Sequence, residues 1–188
     1  APLELTIGAG GRIGADGAVV RELDEDGLRR DLITLRERNA IQALTICFIN
    51  AHINNEHEER ARDIAREVFV DTPISISSEV VPEMQEYERT ETTVVNSYVR
   101  PEVERYVNNL RTALASRMGE DTQLSILRSD GGLASARASA ESPVNLLMSG
   151  PAGGVAGAIY FCSRAGFKDI LTFDMGGTSA DFSVIRDA

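Results

Sequence analysis

The chain has 188 residues, of which 43% are hydrophobic and 26% charged, enough to bury a core and fitting a globular protein of one or two domains. A net charge of −10, 5% aromatic content and no basic stripe argue against nucleic-acid binding. No run of roughly eighteen apolar residues occurs and the N-terminus lacks the layout of a secretion signal, so no membrane span is expected and a cytoplasmic location is.

In chain order, Leu3 to Ile7 reads as a strand and Gly8 to Gly17 as a glycine-rich loop. Asp24 is placed to cap a helix to about Arg38, with Leu28, Leu32 and Leu35 on one face. Ile41 to Ile49 is an almost continuous apolar run containing Cys47, suited to a strand covered on both faces. Asn54 or Asn55 opens a charged helix to about Val70, and Pro73 to Ser77 resumes as a strand, completing a strand, helix, strand unit of a parallel sheet. His52 and His57 are five apart, not the four of a helical metal pair, and Glu56 to Glu59 reads as a solvated face.

From about Pro82 to Met118 the pattern is helical, but proline disrupts a continuous helix, so two helices meeting near Arg100 are expected, with Pro101 opening the second. The Glu83 to Glu91 cluster, with Tyr87 and Arg89, reads as charged helix surface. Gln123 to Leu127 is a short strand followed by a turn at Ser129 to Gly132. Met148 to Gly154 is a glycine-rich loop entering a helix of small residues to about Ala165 that holds the second cysteine, Cys162. Both cysteines lie in apolar segments, as reduced core thiols do.

The last segment, Ile170 to Arg186, is a strand, a tight turn Met175-Gly176-Gly177-Thr178-Ser179 and a second strand, with Asp174 and Asp181 at the two mouths of the turn. Adjacent glycines leave no Cβ in the way, so successive N–H groups can converge on a phosphate. Residues 1–124 hold 14 basic and 23 acidic side chains, net −9, whereas residues 125–188 hold 5 and 6, net −1. The C-terminal segment is therefore the part least hostile to a polyphosphate. Lys168, the one lysine, sits away from the turn, which excludes a Walker-type loop. Backbone amides of Gly176, Gly177 and Thr178, the hydroxyls of Thr178 and Ser179, and a divalent ion would have to meet the charge. Asp174 and Asp181 are the candidate catalytic groups and, through water, the candidate magnesium ligands.

A second candidate is Ser149 to Gly154, where Gly150, Gly153 and Gly154 precede a helix N-terminus that favours anions. The competing reading is that these glycines allow close packing of the helix on a sheet, and the sequence leaves both open. Nothing follows Ala188 to cover the hairpin, so the sequence reads as an excised piece of a longer protein.

The segments SDGG at Ser129 to Gly132, LMSGPAGGVAGA at Leu147 to Ala158 and TFDMGGTSADFSVI at Thr172 to Ile185 resemble the hydantoinase A family. CFINAHINNEHEERA from Cys47 and SSEVVPEMQEYERTETTVVNSYV from Ser77 agree with it, and the resemblance leaves open that His57 is instead a packing or interdomain residue and that the Glu83 to Glu91 cluster faces a partner or the substrate. That family embraces ATP-hydrolysing N-methylhydantoinase, 5-oxoprolinase and the acetone carboxylase beta-type subunit. The resemblance implies an α/β fold of the actin-like, ribonuclease H-like ATPase type, truncated at both ends. Residues 1–80 would end its first domain, 81–122 form connecting helices, and 123–188 begin the second domain. It further implies ATP and Mg2+ as cofactors, a hydantoinase B-type partner and a small cyclic amide substrate, with the fragment alone inactive. A ketone carboxylase subunit and a non-catalytic nucleotide-gated module are the alternatives. Ala180 stands where the family commonly has a second threonine, and the family's N-terminal phosphate loop is missing.

Overall fold

The computed structural model describes residues 2–187, which form a mixed α/β protein of two compact units divided between Glu104 and Arg105. In the first unit, α1 (Glu25–Arg38) starts where the sequence asks for it, because the Asp24 carboxylate accepts the Gly27 N–H at 2.9 Å and Glu25 and Asp26 favour the positive helix end. Its Leu28, Leu32 and Leu35 recur every turn and bury against Ala61, Ile64, Ala65 and Val68 of α2 (Glu56–Val68). Strands β3 (Leu44–Ile46) and β4 (Ile74–Ile76) flank α2 and pair in parallel, Thr45 opposite Ser75, which is the expected strand, helix, strand unit. Each fully buried Leu or Ile of this core contributes about 1.5–3 kcal/mol.

Three expectations in this unit need correction. Leu3–Leu5 is a 3-10 turn, not a strand: the Leu5 N–H closes on the Pro2 carbonyl at 2.9 Å, and among the described residues no strand pairs with it. The loop Gly8 to Gly17 contains a strand, β1 (Arg12–Ile13), which pairs antiparallel with β2 (Val19–Arg21) across a turn where Gly17 has a φ of +83°. The helical stretch after α3 (Ser77–Val80) is one helix, α4 (Glu86–Met118), running through Pro101. Proline costs a helix interior about 3 kcal/mol. Arg100, next to it, donates to the Ile74 carbonyl at 2.8 Å, which holds the affected turn on β4, and to Glu104 of the same helix at 2.7 Å.

The second unit opens on the C-terminal turns of α4 and continues with a hairpin of β5 (Ser125–Leu127) and β6 (Leu133–Ser135), whose turn takes Gly131 to a φ of +81°. After α5 (Ala136–Glu141) and a 3-10 turn at Pro143–Leu146 comes α6 (Ser149–Arg164), then the antiparallel hairpin β7 (Ile170–Met175) and β8 (Ala180–Ile185). Among the described residues no helix is long and apolar enough to cross a membrane.

Candidate functional site

The register of the last hairpin sets Asp174 directly opposite Asp181, so both carboxylates leave the ribbon on one face, the face shared by Ile170, Thr172, Ser183 and Ile185. Like charges across a strand pair destabilise it, and a cation between them removes the repulsion. The opposite face carries Leu171, Phe173, Met175, Phe182 and Val184, each 55–70% exposed, with the Phe173 and Phe182 rings 4.7 Å apart.

At the tip, the Gly176 N–H donates to the Ser179 carbonyl at 2.9 Å, so this amide closes the turn and is not one of the free donors the sequence suggested. The N–H groups of Gly177 and Thr178 meet no acceptor among the described residues. A Cβ on Gly177 would meet nothing within 4 Å, and one on Gly176 only the Ser179 carbonyl at 3.8 Å. Neither glycine takes a positive φ, so what the pair provides is an unobstructed approach. Thr178 and Ser179 are exposed beside it.

The stretch Ser149 to Gly154, read from the sequence as a loop, is the first part of α6 itself. Pro151 falls in the opening turn, where a missing N–H costs no helical bond, and the Ser129 hydroxyl accepts the Met148 N–H at 3.2 Å just ahead of it. The glycines then separate by what they face. A Cβ on Gly153 would come within 2.6 Å of Leu127 Cδ2, which makes Gly153 a packing residue against β5. Gly154 faces Asp174, whose Oδ2 lies 3.8 Å from the position of its Cβ, and Gly150 faces open space. The fold thus brings Asp174 to the N-terminal half of α6, while Gly150, Gly153 and Gly154 do not converge on one point.

A second polar cluster lies in the first unit, at the carboxyl ends of β3 and β4, where parallel sheets commonly carry their sites. Glu58 is 0% exposed and accepts from the Phe48 N–H (2.8 Å), the Ser77 hydroxyl (2.5 Å) and the Ser78 N–H (2.8 Å). Arg89, 1% exposed, donates to Ser77 Oγ (3.0 Å), the Phe48 carbonyl (2.9 Å) and the Glu83 carbonyl (2.7 Å), and lies 3.4 Å from His52 Nδ1. The Asn50 N–H holds the Glu86 carboxyl below the usual carboxylate range, and burial pushes the Cys47 thiol up.

The sequence reading placed His57 and Arg89 on solvated helix surface, and both are buried. His57 is 2% exposed, edge-on to Phe48 at 5.8 Å, with Gly11 close enough that a Cβ there would lie 3.1 Å from Nδ1. The missed signal is helical period: His57, Ala61, Ile64, Ala65 and Val68 recur at four and three residues, so His57 belongs to the buried stripe despite its acidic neighbours. Among the described residues no three His, Cys, Asp or Glu side chains gather to hold a metal.

Sequence comparison matches residues 89–188 to the model of the Hydantoinase/oxoprolinase family and residues 1–69 to that of the Hydantoinase/oxoprolinase N-terminal region. The chain is 35% identical to the caprolactamase subunit alpha of Pseudomonas jessenii over 98% of its own length and 26% of that protein's. The crystal structure of the ATP-dependent caprolactamase from the same organism superposes with a TM-score of 0.81 at 35% identity, over 94% of this chain and 25% of that one. A nucleotide-free acetone carboxylase structure, from a study of ATP-dependent acetone carboxylation, superposes with a TM-score of 0.84 at 29% identity, over 96% and 25%. The chain spans about a quarter of the length of these relatives.

Proposed function

Since this chain belongs to the hydantoinase/oxoprolinase family, we propose that it is part of the ATP-dependent subunit of a cyclic amide hydrolase, with the β7–β8 turn as a phosphate-binding element of an actin-like ATPase. The observation that carries the reading is the exposed turn itself: two unpartnered amides, open space before two glycines, and two carboxylates sharing one face. ATP bound with magnesium would supply the phosphoryl group that makes a stable ring carbonyl open to water. The Gly177 and Thr178 amides would bind its phosphate oxygens, with the Thr178 and Ser179 hydroxyls as further donors. Asp174 and Asp181 would hold the ion and orient the attacking oxygen. The likeness to caprolactamase favours ring opening, with a B-type partner completing the enzyme in the cytoplasm.

The acetone carboxylase superposition favours a second reading, ATP-dependent carboxylation of a ketone, which uses the same phosphate site. Assays of the full-length subunit with its partner on a lactam and on a ketone, each with and without bicarbonate, separate the two by product. In the same assays Asp174→Ala is expected to lower substrate-dependent ATP hydrolysis by about a hundredfold or more, the scale for removing one group that stabilises developing charge. Unchanged turnover in that variant removes the hairpin from the mechanism.

A further inference from the structure

Over its first-unit stretch, helix α4 is built with its polarity reversed. The side turned to the core carries Arg89, Thr93, Asn96 and Ser97, all buried. Asn96 donates to Ser75 Oγ at 3.1 Å, and Ser97 Oγ accepts from Thr45 Oγ1 at 2.7 Å, so this polar side is satisfied on β3 and β4. The side turned to solvent carries Tyr87, Val94 and Tyr98, which are 75%, 41% and 83% exposed. At about 100° per residue, Tyr87, Glu91, Val94 and Tyr98 form one stripe about three turns and roughly 16 Å long. A helix at the surface of a globular unit ordinarily buries its apolar side and wets its polar one. Single exposed apolar residues are ordinary, but an exposed aromatic row on a helix whose inner side is polar marks a surface that is covered in use.

The charges along that side decide the occupant. Glu88 and Glu91 are exposed on it, and among the described residues neither forms an ion pair. The two arginines of this stretch, Arg89 and Arg100, turn inward onto the Phe48 and Ile74 carbonyls and leave those carboxylates unmatched. A second copy of the chain would set glutamates against glutamates. An arginine answers both features of the stripe, since a guanidinium pairs with a carboxylate through its edge and stacks on a tyrosine ring with its face. We propose that the Tyr87 to Tyr98 face of α4 docks a basic amphipathic helix of a partner protein. Its apolar row lies on Val94 and the two tyrosine rings, and its arginines reach Glu88 and Glu91.

The probe is a labelled synthetic helix of about eighteen residues, five turns, with leucines on one face flanked by arginines, titrated with the chain by fluorescence anisotropy. A second peptide carries glutamate at every arginine. No nucleotide or substrate enters, so the outcome is independent of the phosphate-binding reading of the hairpin. The arginine peptide should bind saturably and the glutamate peptide should not. Tyr87→Ala and Tyr98→Ala, exposed enough that the fold stays in place, should each weaken binding by about tenfold or more. Glu88→Gln combined with Glu91→Gln should weaken it by a similar factor and flatten its salt dependence, whereas Glu37→Gln, which removes an exposed charge on α1, should leave it unchanged. The proposal is overturned by any of four results: no saturable binding of the arginine peptide, equal binding of the glutamate peptide, α4 variants that bind like the wild-type chain, or a dimer in sedimentation that Tyr98→Ala abolishes.

Discussion

Glu58 and Arg89 are both fully buried and meet through the Ser77 hydroxyl, which donates to the one and accepts from the other. The contacts named for this pair tie to it the loop after β3, the start of α3 and the segment between α3 and α4. Removing one member leaves the other as an uncompensated charge in the interior, which costs about 3–5 kcal/mol. Glu58→Ala is therefore expected to lower the unfolding free energy of the first unit, read from urea denaturation, by that amount, while Arg60→Ala, which breaks the exposed pair with Glu25, should leave it nearly unchanged. Equal shifts in the two variants would remove the special role of the buried pair. Sequence reasoning found the individual residues but misjudged their surroundings, because a glutamate or arginine flanked by other charges gives no local sign that its own side chain turns inward.

At the scale of elements, α6 separates two uses of glycine. Gly153 sits where a methyl group would press on Leu127 at 2.6 Å, whereas Gly157 has nothing within 4 Å. Gly153→Ala is expected to destabilise the second unit by about 1–3 kcal/mol through overpacking, and Gly157→Ala to stabilise it by about 0.5–1 kcal/mol through helix propensity, both read from thermal unfolding. A matching response at the two positions would mean that α6 does not pack on β5 as described. The elements most legible in the sequence were those with strong period or capping: α1 from Asp24 and its leucines, α2, the parallel β3–β4 pair and the β7–β8 hairpin. The rest depended on partners distant in sequence. Leu3 to Ile7 alternates like a strand but finds no strand to pair with among the described residues, β1 pairs only because β2 returns beside it, and the turn around Pro101 is held by Arg100 on β4. At the candidate site the turn and its carboxylates were legible, while the loss of the Gly176 amide to the turn depended on hairpin geometry.

Across the whole molecule, buried apolar side chains are concentrated in the first unit, from Ile13 through Leu28 and Ile64 to Ile76 and Val80. The second unit exposes Tyr160, Phe161, Phe167 and the outer row of the last hairpin. Local stability follows buried apolar contact, so amide hydrogen exchange should be slowest in α1, α2 and the β3–β4 pair and faster in α6 and β7–β8. Equal protection throughout would contradict this distribution. Exposed apolar surface of this kind commonly marks an interaction face.

The facing pair of aspartates has a mechanical corollary. If the proposed doubly positive ion sits between the two side chains, it relieves the like-charge repulsion across the ribbon at that pair. Residues 174–181 would then exchange their amide hydrogens more slowly with nucleotide and magnesium than without them.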